Sequence, residues 1–156
     1  MAEKTNCPLP INLGKDVHSD SEVKEILNLR NVAVVGISRD PAKPAHFVPR
    51  YLKEHGYHII PVNPSAQEIL GRRCYKSLFD VGEPVDVVDV FRPSEDVPPV
   101  VEAALKRGVK VVWLQEGIHN PKAEEEAMAL GVAVIWNRCM MKEHTRLFRG
   151  SPGVTL

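Results

Sequence analysis

The chain has 156 residues, of which 44% are hydrophobic, and its 20 Lys and Arg residues are balanced by 20 Asp and Glu residues. This size and composition predict one domain built around one core. Because the net charge is zero, neither nucleic acid nor a membrane surface is expected as a partner. The three cysteines show no CxxC spacing, and the N-terminus lacks the apolar run of a signal peptide. We therefore expect a cytoplasmic protein with no disulfide framework and no metal site.

Strand-like and helix-like segments alternate between residues 19 and 150, which form the predicted domain. Residues 1–18 precede it as an arm without periodicity, and residues 151–156 follow it as a short tail. The segment from Ser19 to Glu22 has the pattern of a capping box, which predicts a helix running to about Arg30. Runs rich in Val and Ile predict strands at residues 32–35, 57–62, 85–91, 109–114 and 132–136. Helices are predicted at residues 45–55, 98–107, 121–130 and 140–148.

This alternation predicts parallel strands joined by right-handed crossovers. A turn with a short helix is expected at residues 64–70, and residues 73–75 would add an edge strand. Because the Val and Ile runs are continuous, helices should cover both faces of the sheet. The predicted fold is α/β, a Rossmann-like three-layer sandwich with a mainly parallel sheet of five to six strands.

The loop after the first predicted strand has the composition of a phosphate-binding loop. Gly36 allows close backbone approach to a ligand, Ser38 offers a hydroxyl and an amide, and Arg39 and Lys43 add positive charge near a helix N-terminus. Pro49 predicts that this helix begins late, near residue 48, or is kinked. The simpler alternative is that these residues only form a strand–helix turn.

A nicotinamide dinucleotide is disfavoured by two features of the chain. The loop lacks the second and third glycines of the GxGxxG fingerprint. The second strand is followed by Asn63 rather than by the Asp or Glu that would bind the adenosine ribose. The sequence therefore argues against a conventional dinucleotide-dependent oxidoreductase.

Seven motifs in their order and spacing resemble a known family. They are Val34-Val35-Gly36-Ile37-Ser38, Tyr51-Leu52, Gly56-Tyr57, Ile60-Pro61-Val62-Asn63-Pro64, Leu70-Gly71-Arg72-Arg73-Cys74-Tyr75, Val88-Asp89-Val90-Phe91-Arg92-Pro93 and Asn137-Arg138-Cys139-Met140-Met141. With them the chain resembles the stand-alone CoA-binding domain proteins, relatives of the CoA-binding domain in the succinyl-CoA synthetase alpha subunit. The resemblance extends over residues 20–149; Asn137 departs from it, since family members often carry Asp there.

The resemblance implies a set of CoA-binding residues. Those implied for the phosphates lie in the first loop: Gly36, Ile37, Ser38, Arg39 and Lys43. Those implied for the adenine and ribose follow the second strand: Val62, Asn63 and Pro64. Those implied for the opposite wall, with Arg92 as a phosphate partner, are Phe91, Arg92, Pro93 and Ser94. Those implied for the pantetheine arm are Leu114, Gln115, Gly117 and Ile118.

Simpler structural roles are open for several of these residues. Phe91 can be a core residue, Arg39 and Lys43 solvated loop charges, and Asn63 a turn residue before proline. Cys139 follows the last strand, where a pantetheine thiol would arrive, and the alternative for it is a half-buried structural thiol.

No catalytic constellation is visible in the sequence. The histidines show no metal-ligand spacing, and the acidic run at residues 124–126 predicts a solvated helix face. We therefore expect binding of coenzyme A or an acyl-CoA at the carboxyl edge of the sheet, without catalysis by this chain alone. Two alternatives stay open: a CoA-presenting component of a multi-subunit acyl-CoA enzyme, with a protein partner, and a nucleotide- or redox-sensing Rossmann module.

Overall fold

The computed structural model describes residues 18–148, so the predicted arm and the predicted tail lie outside the described residues. The strands of this region are β1 (Asn31–Val35), β2 (His58–Val62), β3 (Glu68–Ile69), β4 (Arg72–Arg73), β5 (Val87–Val90), β6 (Val111–Leu114) and β7 (Ala133–Ile135). The helices are α1 (Asp20–Leu27), α2 (Pro44–Glu54), α3 (Val97–Arg107), α4 (Pro121–Ala129) and α5 (Met140–Phe148). Two short 3-10 turns lie at Leu78–Asp80 and Ser94–Asp96.

Five strands form one parallel sheet in the order β2-β1-β5-β6-β7. The chain therefore starts near the middle, moves to one edge through α2, and then crosses to the other edge through α3 and α4. This is the doubly wound arrangement of an open α/β sheet. The predicted Rossmann-like fold and the predicted strand number are confirmed.

Side chains of each strand divide between two cores. In β1, Val32 and Val34 join the core beneath α1, α2 and α5, whereas Ala33 joins the core beneath α3 and α4. All four residues of β5 are buried, and so are all four of β6. Apolar residues are needed on both faces, which is the physical reason why these strands appear in the sequence as continuous Val-rich runs rather than as alternating patterns.

Residues 64–70 do not form the short helix that was predicted. The segment enters a small antiparallel hairpin instead, in which Ile69 of β3 pairs with Arg72 of β4. Leu70 and Gly71 at its turn have φ angles of 55° and 77°, a left-handed conformation that a helix cannot contain. Tyr75 then makes an isolated parallel bridge with Val62, so an extended segment does lie along the β2 edge.

Helix α2 does not start late, although it contains a proline. Pro44 occupies its first turn, where a missing N–H costs nothing, and Pro49 lies inside the helix. Pro49 has no N–H to donate to the carbonyl of Ala45 four residues earlier. That carbonyl instead accepts the N–H of Ser38 at 3.0 Å. Pro49 thus leaves the Ala45 carbonyl free to accept a hydrogen bond from the preceding loop.

Candidate ligand site at the carboxyl edge of the sheet

The site lies where β1 and β5 end side by side. These strands are neighbours, but their crossover helices pack on opposite faces, α2 on one and α3 on the other. Such a divergence opens a crevice outside the carboxyl ends of the strands. Gly36 follows β1 and Phe91 follows β5, so the two residues face each other across the crevice.

Gly36 is required by its own protein backbone. Its φ angle is +89°, and a Cβ built on it would lie 2.7 Å from the carbonyl oxygen of Phe91. Its N–H donates to the carbonyl of Val62 at 3.2 Å, and the Asn63 amide donates to the carbonyl of Ile37 at 2.8 Å. The loop is therefore attached to the end of β2, and the close approach that Gly36 permits is to the backbone of Phe91 after β5.

Ser38 has its backbone groups fully used within the loop. Its N–H donates to Ala45, and its carbonyl lies 2.7 Å from Nδ1 of His46. The Ser38 amide that was predicted to face a phosphate thus already has an acceptor in the Ala45 carbonyl. The hydroxyl oxygen accepts the N–H of Asp40 at 3.0 Å, which leaves the hydroxyl proton as the donor that Ser38 can offer.

The first of two clefts, the loop cleft, has a volume of about 620 Å³. Its lining residues belong to the first loop, the start of α2 and the neighbouring strand ends: Gly36, Ile37, Ser38, Arg39, Asp40, Lys43, Ala45, Asn63 and Phe91. Arg39 and Lys43 are exposed, and within residues 18–148 neither makes an ion pair. Ile37 is 1% exposed, so its side chain belongs to the core and only its backbone faces the cleft.

The second cleft, the α3 cleft, has a volume of about 500 Å³. It lies between the strand ends and α3. Its lining residues are Val35, Gly36, Val62, Asn63, Pro64, Ser65, Lys76, Ser77, Leu78, Phe79, Arg92, Pro99, Val100 and Ala103. Gly36 and Asn63 line both clefts, so the two adjoin. The sequence prediction missed Lys76 and Phe79. An aromatic side chain that is 60% exposed has no periodic signature in the sequence.

The residues that end β5 have different roles. Phe91 is half-buried: it lines the loop cleft and also packs against the core. Arg92 lines the α3 cleft, but its guanidinium is paired with the Asp96 carboxylate at 2.9 Å. Pro93 and Ser94 line neither cleft. The ion pair leaves Arg92 less available to a phosphate than Arg39.

Two of the four residues expected beside a pantetheine arm contribute little surface. Leu114 is 0% exposed and Gln115 is 3% exposed, so both lie below the edge. Gly117 is exposed, although its N–H donates to Oδ1 of Asn137 at 2.7 Å, and Ile118 is partly buried. Of the four residues, Gly117 and Ile118 are those that a bound molecule can reach.

Asp89 is a buried carboxyl group beneath this edge. It is 0% exposed, its Oδ1 accepts the Gln115 amide, and its Oδ2 has no hydrogen-bond partner among residues 18–148. Burial raises its pKa to about 7, and the hydrogen bond from Gln115 opposes that rise. Strands β1 and β6 place Val34 and Trp113 on either side of it. The sequence does not reveal this group, because an aspartate in a strand is equally compatible with an exposed position.

Cys139 is a buried thiol at the start of α5. It is 6% exposed, and burial raises the pKa of its thiol, although the backbone N–H groups of Lys142 and Met141 favour the thiolate. A thiol that keeps its proton is a weak nucleophile. These observations favour the structural alternative for Cys139.

Two classes of site find no support in the described residues. No helix within residues 18–148 is long and apolar enough to cross a membrane. That region also contains no cluster of three His, Cys, Asp or Glu side chains suited to a metal ion.

The acidic run at the start of α4 is not uniformly solvated, which corrects the prediction. Glu125 and Glu126 are exposed, but Glu124 is 2% exposed and its Oε2 lies 2.7 Å from Nδ1 of His119. The structure thus brings together a histidine and a carboxylate that the sequence did not identify as a pair.

Replacing Gly36 by Ala is expected to destabilise the fold more than replacing Gly131 by Ala. Both glycines have positive φ angles, +89° and +83°, but only Gly36 is crowded by another backbone. The extra loss in the free energy of unfolding should be about 1–3 kcal/mol. Urea denaturation of the two variants measures this difference in the free energy of unfolding. Equal losses would show that crowding by the Phe91 backbone does not add to the cost of a side chain at Gly36.

The Asp89→Asn variant is expected to change how stability depends on pH. Folded Asp89 keeps its proton up to about pH 7, whereas the unfolded carboxyl loses it near 3.8. The unfolded state therefore binds fewer protons in this interval, and wild-type stability should fall as pH rises. Asn cannot ionise, so the wild type should lose up to about 4 kcal/mol relative to the variant between pH 4 and pH 8. A difference in the free energy of unfolding between wild type and variant that stays constant from pH 4 to pH 8 would contradict this expectation.

The sequence from residue 30 to residue 145 matches the family model described as a CoA binding domain. The uncharacterized protein YneT of Bacillus subtilis is 39% identical over 127 residues, which cover 81% of this chain and 94% of YneT. The ADP-forming acetate–CoA ligase of Methanocaldococcus jannaschii is 37% identical over 138 residues. That match covers 82% of this chain but only 20% of the ligase.

Solved structures agree with the family match. A hypothetical protein from Pyrococcus horikoshii OT3 superposes with a TM-score of 0.83 at 40% identity, covering 95% of this chain and 99% of the other. A protein from Thermus thermophilus superposes with a TM-score of 0.81 at 42% identity, covering 84% of this chain and all of the other. The overall fold is thus that of a known group of proteins. The chain belongs to the CoA-binding domain family.

Proposed function

We propose that this protein binds coenzyme A or an acyl-CoA across the two adjoining clefts. The observation that carries the proposal is the pair of cations, Arg39 and Lys43, without ion-pair partners among the described residues, at the crevice of a CoA-binding domain fold. Cations held near a helix N-terminus suit a diphosphate. CoA joins such a diphosphate to an adenosine on one side and to a pantetheine arm on the other.

The chemistry of the two clefts matches a division of this ligand. The loop cleft, with Arg39 and Lys43, suits the diphosphate. The α3 cleft has more apolar walls, and the exposed Phe79 ring offers an adenine a surface to stack on. Lys76 at the same cleft supplies a cation for the 3′-phosphate. Asn63 lies at the junction.

Asn63 also distinguishes CoA from a nicotinamide dinucleotide. Its Nδ2 donates to Ile37, and its Oδ1 accepts the N–H groups of Ser65 and Ala66 at 2.7 and 2.9 Å. The side chain is therefore used to shape the turn, and it carries no charge. An adenosine ribose diol would find no carboxylate at this position.

A second candidate function is presentation of CoA to a catalytic partner. The observation that favours it is the match to one fifth of an ADP-forming acetate–CoA ligase, in which this region is one part of a longer enzyme. Turnover of acyl-CoA by a co-purified protein only when this chain is present would support that role. A redox-sensing role is less favoured, because Cys139 is buried and keeps its proton.

Calorimetric titration of the protein with CoA, dephospho-CoA and NAD tests the proposal. We expect saturable binding of CoA, weaker binding of dephospho-CoA because Lys76 loses its phosphate partner, and no saturation with NAD. Saturation by NAD without any heat from CoA would overturn the proposal. Mass spectrometry of small molecules released from the purified protein would show whether free CoA or an acyl-CoA is carried.

Arg39→Ala is expected to weaken CoA binding by about 1–3 kcal/mol, a loss of roughly 5- to 150-fold in affinity, since a charge-assisted phosphate contact would be removed. Lys110→Ala is the matched control. It also removes one positive charge, but Lys110 is exposed and precedes β6, at the opposite edge of the sheet. Equal affinities of the two variants for CoA would show that Arg39 is a solvated loop charge that does not contact the phosphates.

A further inference from the structure

His119 and Glu124 form a fixed pair at the carboxyl edge. Nδ1 of His119 lies 2.7 Å from Oε2 of Glu124, and the same oxygen accepts the N–H of Asn120 at 2.7 Å. The His119 ring also stacks on the Trp136 indole, with centroids 5.3 Å apart and planes 27° apart. The ring is thus held on one edge by α4 and on one face by the residue that follows β7.

These contacts decide which nitrogen of His119 is available. A carboxylate oxygen accepts hydrogen bonds, so the proton of a neutral ring resides on Nδ1 and the lone pair on Nε2. The structure places no partner on Nε2 among residues 18–148. The Glu124 side chain is 3% exposed, whereas the His119 side chain is 33% exposed. Nε2 lies on the edge of the ring away from Glu124, and a third of the His119 side chain is exposed.

The pair contacts the segment that follows β5, outside the residues that line the two clefts. The N–H of His119 donates to Oγ of Ser94 at 3.0 Å, and the Asn120 amide donates to the carbonyl of Ser94 at 3.0 Å. Ser94 follows β5, whereas His119 follows β6 and comes directly after Gly117 and Ile118, the reachable residues on the pantetheine side. Two strand spacings, about 10 Å, separate β1 from β6. An extended pantetheine arm that starts at the loop cleft spans that distance.

We propose that His119 and Glu124 are a proton-accepting dyad for the thiol of the bound ligand. The inference rests on the proposed binding of CoA. In the step, the S–H bond of pantetheine breaks, an N–H bond forms at Nε2 of His119, and the electron pair stays on sulfur. Glu124 acts as a positioning residue, since it holds the ring tautomer and stabilises the imidazolium that results. The product is a bound thiolate, the nucleophilic form that acyl transfer to CoA requires.

A second His–Glu pair in the same protein provides a comparison. Nε2 of His58 lies 2.7 Å from Oε1 of Glu83, but that carboxylate is also bound by Arg72 at 2.7 Å and by the Tyr75 hydroxyl at 2.9 Å. His58 begins β2 at the opposite edge of the sheet, remote from both clefts. Because this pair lines neither cleft, His58→Gln is a matched control for removal of a His–Glu contact.

The test compares the wild type, His119→Gln, Glu124→Gln and His58→Gln, each saturated with CoA as verified by calorimetry. The ionisation of the bound thiol is followed by the ultraviolet absorbance of the thiolate as a function of pH. The same titration with S-methyl-CoA removes the contribution of the cysteines, because that ligand has no thiol. We expect the thiol bound to the wild type to ionise at least one pH unit below free CoA, and the His58→Gln protein to behave like the wild type.

Both dyad variants should bind CoA. The thiol of the His119→Gln complex should ionise at the same pH as that of free CoA. The thiol of the Glu124→Gln complex should ionise at a pH between those of the wild-type complex and free CoA. At neutral pH, alkylation of the bound thiol should be about tenfold slower in His119→Gln than in the wild type for each pH unit of difference. Normal binding with a wild-type thiol that ionises like free CoA overturns the dyad but not the proposed function. Absence of CoA binding by the wild type overturns the proposed function itself.

Discussion

The contact between Gly36 and the backbone of Phe91 is the constraint on which the site depends. Strands β1 and β5 pair in parallel and end together, and the chain after β1 must turn across the end of β5 without a side chain in the way. Only glycine fits there with a φ of +89°. This turn directs the loop towards α2, so the cations of the loop cleft face the crevice rather than the sheet. Both clefts meet at this residue.

The loop is prearranged rather than flexible. Its peptide groups are bound by Val62 and Asn63 on one side and by Ala45 and His46 on the other. The Ala45 carbonyl is available because Pro49 removes its helical donor. Preorganisation lowers the entropy that a ligand must pay for when it binds. A proline that looks like a defect in the helical pattern therefore supports the geometry of the site.

Buried ionisable groups lie beneath the surface of the carboxyl edge. Asp89 is inside the sheet, with one oxygen that has no partner in the described part of the chain, and Glu124 is buried against His119. Burying a carboxyl group is costly unless hydrogen bonds or protonation compensate. Gln115 gives part of that compensation to Asp89, and His119 and Asn120 give it to Glu124. Gln115 thus stabilises the buried carboxyl group of Asp89 beneath the carboxyl edge.

The sequence by itself determined the strands, the main helices, the parallel sheet and the position of the first loop. These features are encoded locally, in buried Val runs, the Ser19 capping box and the glycine after β1, so they can be identified without knowledge of distant residues. Only the tertiary structure decided which polar side chains are buried and which are available. Gln115 and Asp89 are 26 residues apart, and His119 meets Ser94 across 25 residues. Burial is a property of the assembled fold and not of a local pattern. The packing of separate elements therefore decides whether a Glu on α4 faces water or a histidine. It also decides whether Lys76 and Phe79 line a cleft.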